Sequence, residues 1–215
     1  MSPFLIAAIV LLTLGALTSI ILFVPFRWHR DIHFPPYSLH LKLKDHRIKH
    51  RPHIDTKQCE NNLETLDAVM KKHDLFYFLS DGSALGAKRE QRILPWDDDV
   101  DIGIFKSEQD RFIKDVLPAL KDKGFEYNHA RTNFIALHRK GEKVDVCIYG
   151  KGATDTGHLK DGSKLLPLVQ KFEQVTIGKK QYMVPKQEEY YEFLYGKDWR
   201  TPNKTYKQSF DLDAK

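Results

Sequence analysis

Four carboxylates fall within five consecutive positions, Asp97, Asp98, Asp99 and Asp101, and the chain then alternates. Val100, Ile102 and Ile104 are aliphatic, and Asp99 and Asp101 stand between them. A period of two is the pattern of a β-strand, whose successive side chains point to opposite faces. The aliphatics therefore enter a core and the two acids share the other face. Anions so placed repel by about 4 kcal/mol per pair at ~4 Å under a surface-like dielectric. A fold that keeps them must bring protons or a cation to that face. A hard divalent ion suits all-oxygen ligands, and magnesium (or manganese in its place) is typically held by one or two carboxylates together with substrate phosphates.

Other readings of the segment stand beside this one. A solvated acidic loop fits poorly, because Pro95-Trp96 precedes the run and Ile102-Gly103-Ile104-Phe105 follows it. A calcium loop fits in part: Asp97, Asp99, Asp101 and Glu108 take the first, third, fifth and twelfth places, but Ile102 stands where the sharp turn needs glycine. The Asp-x-Asp metal motif of glycosyltransferases also fits two of the acids.

What precedes the acids narrows the choice. Leu75-Phe76-Tyr77-Phe78-Leu79 predicts a short buried strand, ended by Ser80-Asp81-Gly82-Ser83. Ala84 to Arg89 predicts the first turns of a helix, with Ser83 as its cap. Strand, Gly-Ser turn and helix N-terminus together present backbone N–H groups to an anion. Lys88, Arg89 and Arg92 lie between this turn and the acids. Gly-Ser followed at this distance by Asp-hydrophobic-Asp-hydrophobic is the arrangement of the nucleotidyltransferase fold, where a later strand brings a third carboxylate. Asp145 is the candidate. It lies in the apolar run Val144-Asp145-Val146-Cys147-Ile148-Tyr149, the second strand of a hairpin turning at Lys140-Gly141-Glu142. A lone carboxylate in such a strand is costly to bury unless it is paired or binds metal; the bland alternative is an Asp145 that faces solvent.

Residues 79–87 and 93–102, with their Leu79-Ser80-Asp81-Gly82-Ser83 and Pro95-Trp96-Asp97-Asp98-Asp99 runs, resemble the signature of the LicD family. That family includes bacterial phosphocholine transferases, fukutin and fukutin-related protein. Residues 144–148 resemble its third-carboxylate strand, and 185–189 with Tyr195-Gly196-Lys197-Asp198-Trp199 resemble its C-terminal ending. The likeness runs over about residues 57–203. It implies transfer of a phosphorylated alcohol, such as phosphocholine or ribitol phosphate, from a CDP-linked donor to a glycan acceptor. It also implies roles. Asp99, Asp101 and Asp145 are the catalytic and metal residues, with Asp97 as a further candidate ligand. Gly82 and Ser83 approach a phosphate, and Lys88, Arg89 or Arg92 offset charge on the leaving nucleotide. The zinc-binding insertion of fukutin-related protein is not expected in a chain with two cysteines, Cys59 and Cys147. Pairing between those two is left open by the sequence.

Residues 4–26 run for twenty-three positions without a charge, long enough to span a bilayer as a helix. With no basic residue ahead of it, this reads as a transmembrane signal anchor over 1–26, with a cleaved signal peptide as the rival. Arg27, Arg30, Lys42 and Lys44 follow it, so the positive-inside rule argues for a cytoplasmic domain. The family resemblance implies the opposite, a Golgi or ER membrane with the catalytic domain in the lumen, and the Asn203-Lys204-Thr205 sequon agrees. The lumenal placement is the expectation taken here. Residues 27–55 read as a basic stem, with His29, His33, His40, His46, His50 and His53 at irregular spacing. The stem supplies much of the net charge of +5, so that surplus implies anionic lipid headgroups rather than nucleic acid.

The catalytic domain over 56–215 reads as α+β. Cys59, Leu63, Leu66 and Met70 line a first helix ending near His73. Ser107 is placed to cap a second helix, lined by Phe112, Ile113, Val116, Leu117 and Leu120 and kinked at Pro118. Strands near 175–177 and 182–184 are expected to extend the sheet, and 188–195 to form a short tyrosine-rich helix. Three function classes remain: a phospho-alcohol transferase, a glycosyltransferase using a nucleotide sugar, and an inactive membrane-anchored scaffold.

Overall fold

The computed structural model describes residues 53–131, 134–150 and 165–202. The expected anchor, most of the expected stem and Asn203 lie outside the described residues. Among the described residues no helix is long and apolar enough to cross a membrane.

Helix α1 (Thr56–Lys72) starts at Asp55, whose Oδ1 accepts the Gln58 N–H at 3.0 Å. Cys59, Leu63, Leu66 and Met70 are its buried stripe, as their spacing predicts. Strand β1 (Phe78–Leu79) is shorter than expected, and helix α2 (Asp81–Glu90) follows at once. Strand β2 is Val100–Phe105. The predicted second helix is broken into a 3-10 turn (Lys106–Glu108), α3 (Gln109–Arg111), a π turn (Phe112–Val116) and α4 (Leu117–Asp122). Ser107 lies inside the 3-10 turn and caps nothing. Pro118 lacks an N–H and in a regular α-helix would crowd the carbonyl of Lys114, and the helix widens into the π turn just before it. Strands β3 (Glu126–Arg131), β4 (Phe134–Arg139) and β5 (Glu142–Tyr149) come next, then β6 (Phe172–Ile177), β7 (Lys180–Pro185) and α5 (Glu188–Tyr195).

Five strands form one sheet in the order β1-β2-β5-β4-β3. β2 and β5 run parallel, and the other pairs are antiparallel. The fold is thus α+β, a mixed sheet flanked by helices. The β4–β5 hairpin turns through Lys140 and Gly141, at φ 50° and 84°. Two residues with positive φ give the primed turn that matches the twist of its strands.

β5 is buried on both faces, and its two faces do different work. Val144, Val146 and Ile148 share the side of Glu142, which meets α1 through Cys59 Sγ donating to Glu142 Oε2 at 3.5 Å. Asp145, Cys147 and Tyr149 share the other side, where the Tyr149 hydroxyl lies 3.4 Å from both Asp81 Oδ2 and the Tyr190 hydroxyl. Cys59 and Cys147 therefore sit on opposite sides of the sheet and form no disulfide.

The expected extension of the sheet by the later hairpin is not what forms. β6 and β7 make a separate two-stranded sheet. β7 comes close to β1 and α2 without joining the ladder. Side chains hold it there: the Phe172 ring centroid is 5.1 Å from that of Phe76 and 4.9 Å from that of Phe78. Periodicity marks a hairpin, but ring packing decided where this one docks.

Candidate active site

The turn between β1 and α2 builds one wall of the site. Ser83 does not cap the helix. The helix begins two residues earlier, at Asp81, whose backbone has φ 44° and whose N–H donates to the Tyr190 hydroxyl at 2.9 Å. With that orphan donor satisfied by α5, Ser83 falls inside the first turn. Its Oγ accepts the Asp101 N–H at 2.8 Å and so ties the helix to the acid-bearing strand. Gly82 is required by contact: a Cβ there would fall 2.1 Å from Asp97 Oδ2.

The pairing of β2 with β5 builds the other wall. The parallel register sets Asp101 against Asp145. Carboxylate oxygens of Asp99, Asp101 and Asp145 lie within 4.8 Å of one another. Two further groups overlap this one at the same spacing: Asp97 with Asp98 and Asp99, and Asp81 with Asp101 and Cys147. Asp145 is 5% exposed, which removes the solvent-facing alternative. The calcium-loop alternative falls too, because Ile102 sits in the middle of β2.

Burial pushes the carboxyls of Asp97, Asp101 and Asp145 well above the usual carboxylate range, and the Asp99 charge pushes each further. Burial and the charges of Asp81 and Asp101 push the Cys147 thiol up as well. One cation stands among these acids. Lys143 Nζ lies 2.6 Å from Asp99 Oδ2 and 2.8 Å from Asp145 Oδ2. Burial alone would push its ammonium down, but the two carboxylates outweigh that and hold it well above the ordinary lysine range. No donor reaches the buried Oδ1 of Asp145.

The three bases flagged in the sequence are engaged elsewhere. Lys88 pairs with Glu173. Arg89 donates to Glu90 Oε1 from Nε at 2.9 Å and from its terminal nitrogen at 2.5 Å, and also reaches the Trp199 carbonyl at 3.2 Å. Arg92 donates to Glu90 Oε2 at 3.0 and 2.6 Å and lies 5.6 Å over the Trp96 ring. Burial alone would raise the Glu90 carboxyl, but these two guanidiniums hold it below its usual range.

A cleft of about 520 Å³ opens beside the acids. Gly82 and Asp97 form its end nearest the cluster; Arg89, Trp96, Tyr195 and Trp199 are among its walls. Of the flagged bases, Arg89 lines it, while Lys88 and Arg92 do not. Three residues escaped the sequence reading. Lys143 was signalled by lying two positions before Asp145, hence on the same strand face. Asp81 was signalled as an acid able to take positive φ before a helix. Tyr190, one ring of the expected tyrosine-rich helix, had no signal for its hydrogen bond to Asp81.

A mixed sheet with carboxylates on adjacent central strands, facing a helix that starts at a Gly-Ser turn, is the arrangement of a nucleotidyltransferase domain. The chain matches the family described as LicD/FKTN/FKRP, nucleotidyltransferase domain, over residues 74–187, and it belongs to the LicD family. It is 28% identical to human ribitol-5-phosphate transferase FKTN, over 70% of this chain and 35% of that protein. It is 34% identical to the lipopolysaccharide cholinephosphotransferase LicD of Haemophilus influenzae, over 26% of this chain and 21% of that protein. Both alignments span about a third or less of the relative's length. The crystal structure of ANT(2")-Ia in complex with adenylyl-2"-tobramycin is similar at a TM-score of 0.35 and 18% identity, over 44% of this chain and 51% of that one.

Proposed function

We propose that this protein is a metal-dependent transferase that moves a phosphorylated alcohol from a CDP-linked donor to a hydroxyl of a glycan. The observation that carries the reading is the convergence of Asp99, in the bend just before β2, with Asp101 in β2 and Asp145 in β5, next to a cleft with aromatic walls. The activities for which its relatives are named, ribitol-5-phosphate and cholinephosphate transfer, agree in class.

The donor set fits a hard divalent ion such as magnesium or manganese: every ligand is a carboxylate oxygen, and Asp145 Oδ1 is buried without a donor. Asp99, Asp101 and Asp145 would hold the ion, with Asp97 at the edge. When bound, it would act as a Lewis acid that stabilises charge on the phosphates.

The protein's own residues supply the rest. The cleft takes the donor's nucleotide, with Trp96 as an aromatic wall and Arg89 supplying positive charge. Gly82 leaves room for close approach beside Asp97. The acceptor oxygen bonds to the phosphorus that carries the alcohol, the pyrophosphate P–O bond breaks, and CMP leaves with that electron pair. The hydroxyl's proton passes to a carboxylate of the site, with Asp145 as the candidate base.

The uncharged run over 4–26 and the Asn203 sequon support a secretory-membrane anchor with the domain in the lumen. Digestion of the domain by protease in intact microsomes would reverse that orientation.

The full chain should be assayed with CDP-choline, CDP-ribitol, CDP-glycerol and nucleotide sugars, with a glycan acceptor pool and magnesium or manganese. Release of CMP is expected. Release of a nucleoside diphosphate would replace this reading with glycosyl transfer, and no turnover with no divalent binding would leave a scaffold.

A further inference from the structure

Lys143 has no part in the chemistry just described, yet it occupies the centre of the acidic cluster. Its Nζ lies between Asp99 Oδ2 at 2.6 Å and Asp145 Oδ2 at 2.8 Å, bridging the bend that leads into β2 and strand β5. Its side chain is 17% exposed, so the ammonium is held in the site and not on its rim. An ion bound by the oxygens of Asp99, Asp101 and Asp145 would use the same two carboxylates. Magnesium sits about 2.0–2.1 Å from its oxygens, so an ion on Asp99 Oδ2 and Asp145 Oδ2 would meet the ammonium head-on. Two cations cannot share that seat at low cost.

We propose that Lys143 is a built-in occupant of the cation seat, which it yields when a divalent ion binds, so that it sets the threshold of metal concentration at which the site loads. This rests on the metal-site reading above and adds a competitor to it. Two features besides charge favour exchange over a permanent ion pair. Asp145 Oδ1 has no donor while Lys143 is in place, so the lysine leaves one buried oxygen unmet that an ion would meet. A lysine is also a compact point charge on a flexible stem, suited to leaving a site, unlike a guanidinium locked by two parallel bonds.

The test is titration of the metal-free full chain with Mn2+ by calorimetry, for wild type and Lys143→Met. Competition predicts that the variant binds Mn2+ about 10- to 100-fold more tightly, the span by which groups touching metal ligands tune affinity. It also predicts that the variant melts below wild type in chelator and that saturating Mn2+ closes the gap. Equal affinity would mean that Lys143 stands beside the ion, and weaker affinity that it orients the ligands; either overturns the proposal and leaves the metal site intact. No divalent binding by either protein would end the metal reading and this proposal with it. If Lys143→Met does not fold, acylation of Lys143 by acetic anhydride in the wild-type protein, read by mass spectrometry, decides. Mn2+ should increase it, and no change or a decrease overturns the exchange.

Discussion

The acids at β2 and β5 and the bases at the end of α2 are opposite in their state of neutralisation. Each base has a carboxylate partner: Lys88 has Glu173, and Arg89 and Arg92 divide the two oxygens of Glu90. The acids gather Asp97, Asp99, Asp101 and Asp145, and the ion pairs described among them come from one ammonium, that of Lys143. Lys88 and Arg92 are held away from the cleft, and Arg89 lines it while paired with Glu90. The acids outnumber the one ammonium paired with them, which is the mark of a site built to receive a cation or a proton.

The sharpest way to break this contrast is to neutralise an acid. Asp99→Asn and Asp101→Asn should each abolish transfer; in Asp101→Asn, which leaves the two Lys143 pairs in place, the metal-free fold should keep its stability or gain slightly as repulsion is relieved. Asp145→Ala should cost roughly 100-fold or more in turnover. Combined with Asp101→Asn it should be little worse than Asp101→Asn alone, because such groups act as a unit. Turnover and chelator-treated melting curves check both parts, and near wild-type activity in any of the three would dissolve the site.

Stability against pH sharpens the contrast on a smaller scale. The carboxyls of Asp97, Asp101 and Asp145 hold their protons in the folded protein above the pH at which an unfolded carboxyl gives them up. The native state therefore binds more protons than the unfolded one across that window, and stability falls as pH rises. Without metal, the protein should melt at a progressively lower temperature from the ordinary carboxylate range upward. Asp101→Asn should flatten the slope, and a wild-type slope of the opposite sign would refute the raised carboxyls.

The smallest effect belongs to the bases. Arg92 has a side chain that is 53% exposed, and solvent screens its pair with Glu90. Arg92→Ala should change stability by about 0.5 kcal/mol or less and leave turnover near wild type. A loss of turnover above tenfold would place Arg92 in the chemistry after all.

Much of this was legible because it is local. The stripe Cys59, Leu63, Leu66 and Met70 marked α1 within a residue of its end, and the Lys140-Gly141 turn marked the β4–β5 hairpin. Pro118 marked the break before α4, though not the π turn it produces. Local reading failed where partners came from far along the chain. Ser83 looked like a cap because the Tyr190 hydroxyl, which takes the Asp81 N–H, is 109 residues away. The partners of Lys88 and Arg89, Glu173 and the Trp199 carbonyl, were out of view in the same way.

By itself the sequence determined that Asp101 and Asp145 face away from the aliphatic side of their strands, since the period of a strand follows from backbone geometry alone. It also determined the family, through runs too specific to arise by chance. Only the tertiary structure decided that β2 and β5 lie parallel with Asp101 opposite Asp145. It decided too that Lys143, and not solvent, sits between Asp99 and Asp145. Strand order and register come from burial of both faces and from pairing across more than forty residues, and periodicity carries no information about which strand becomes the neighbour.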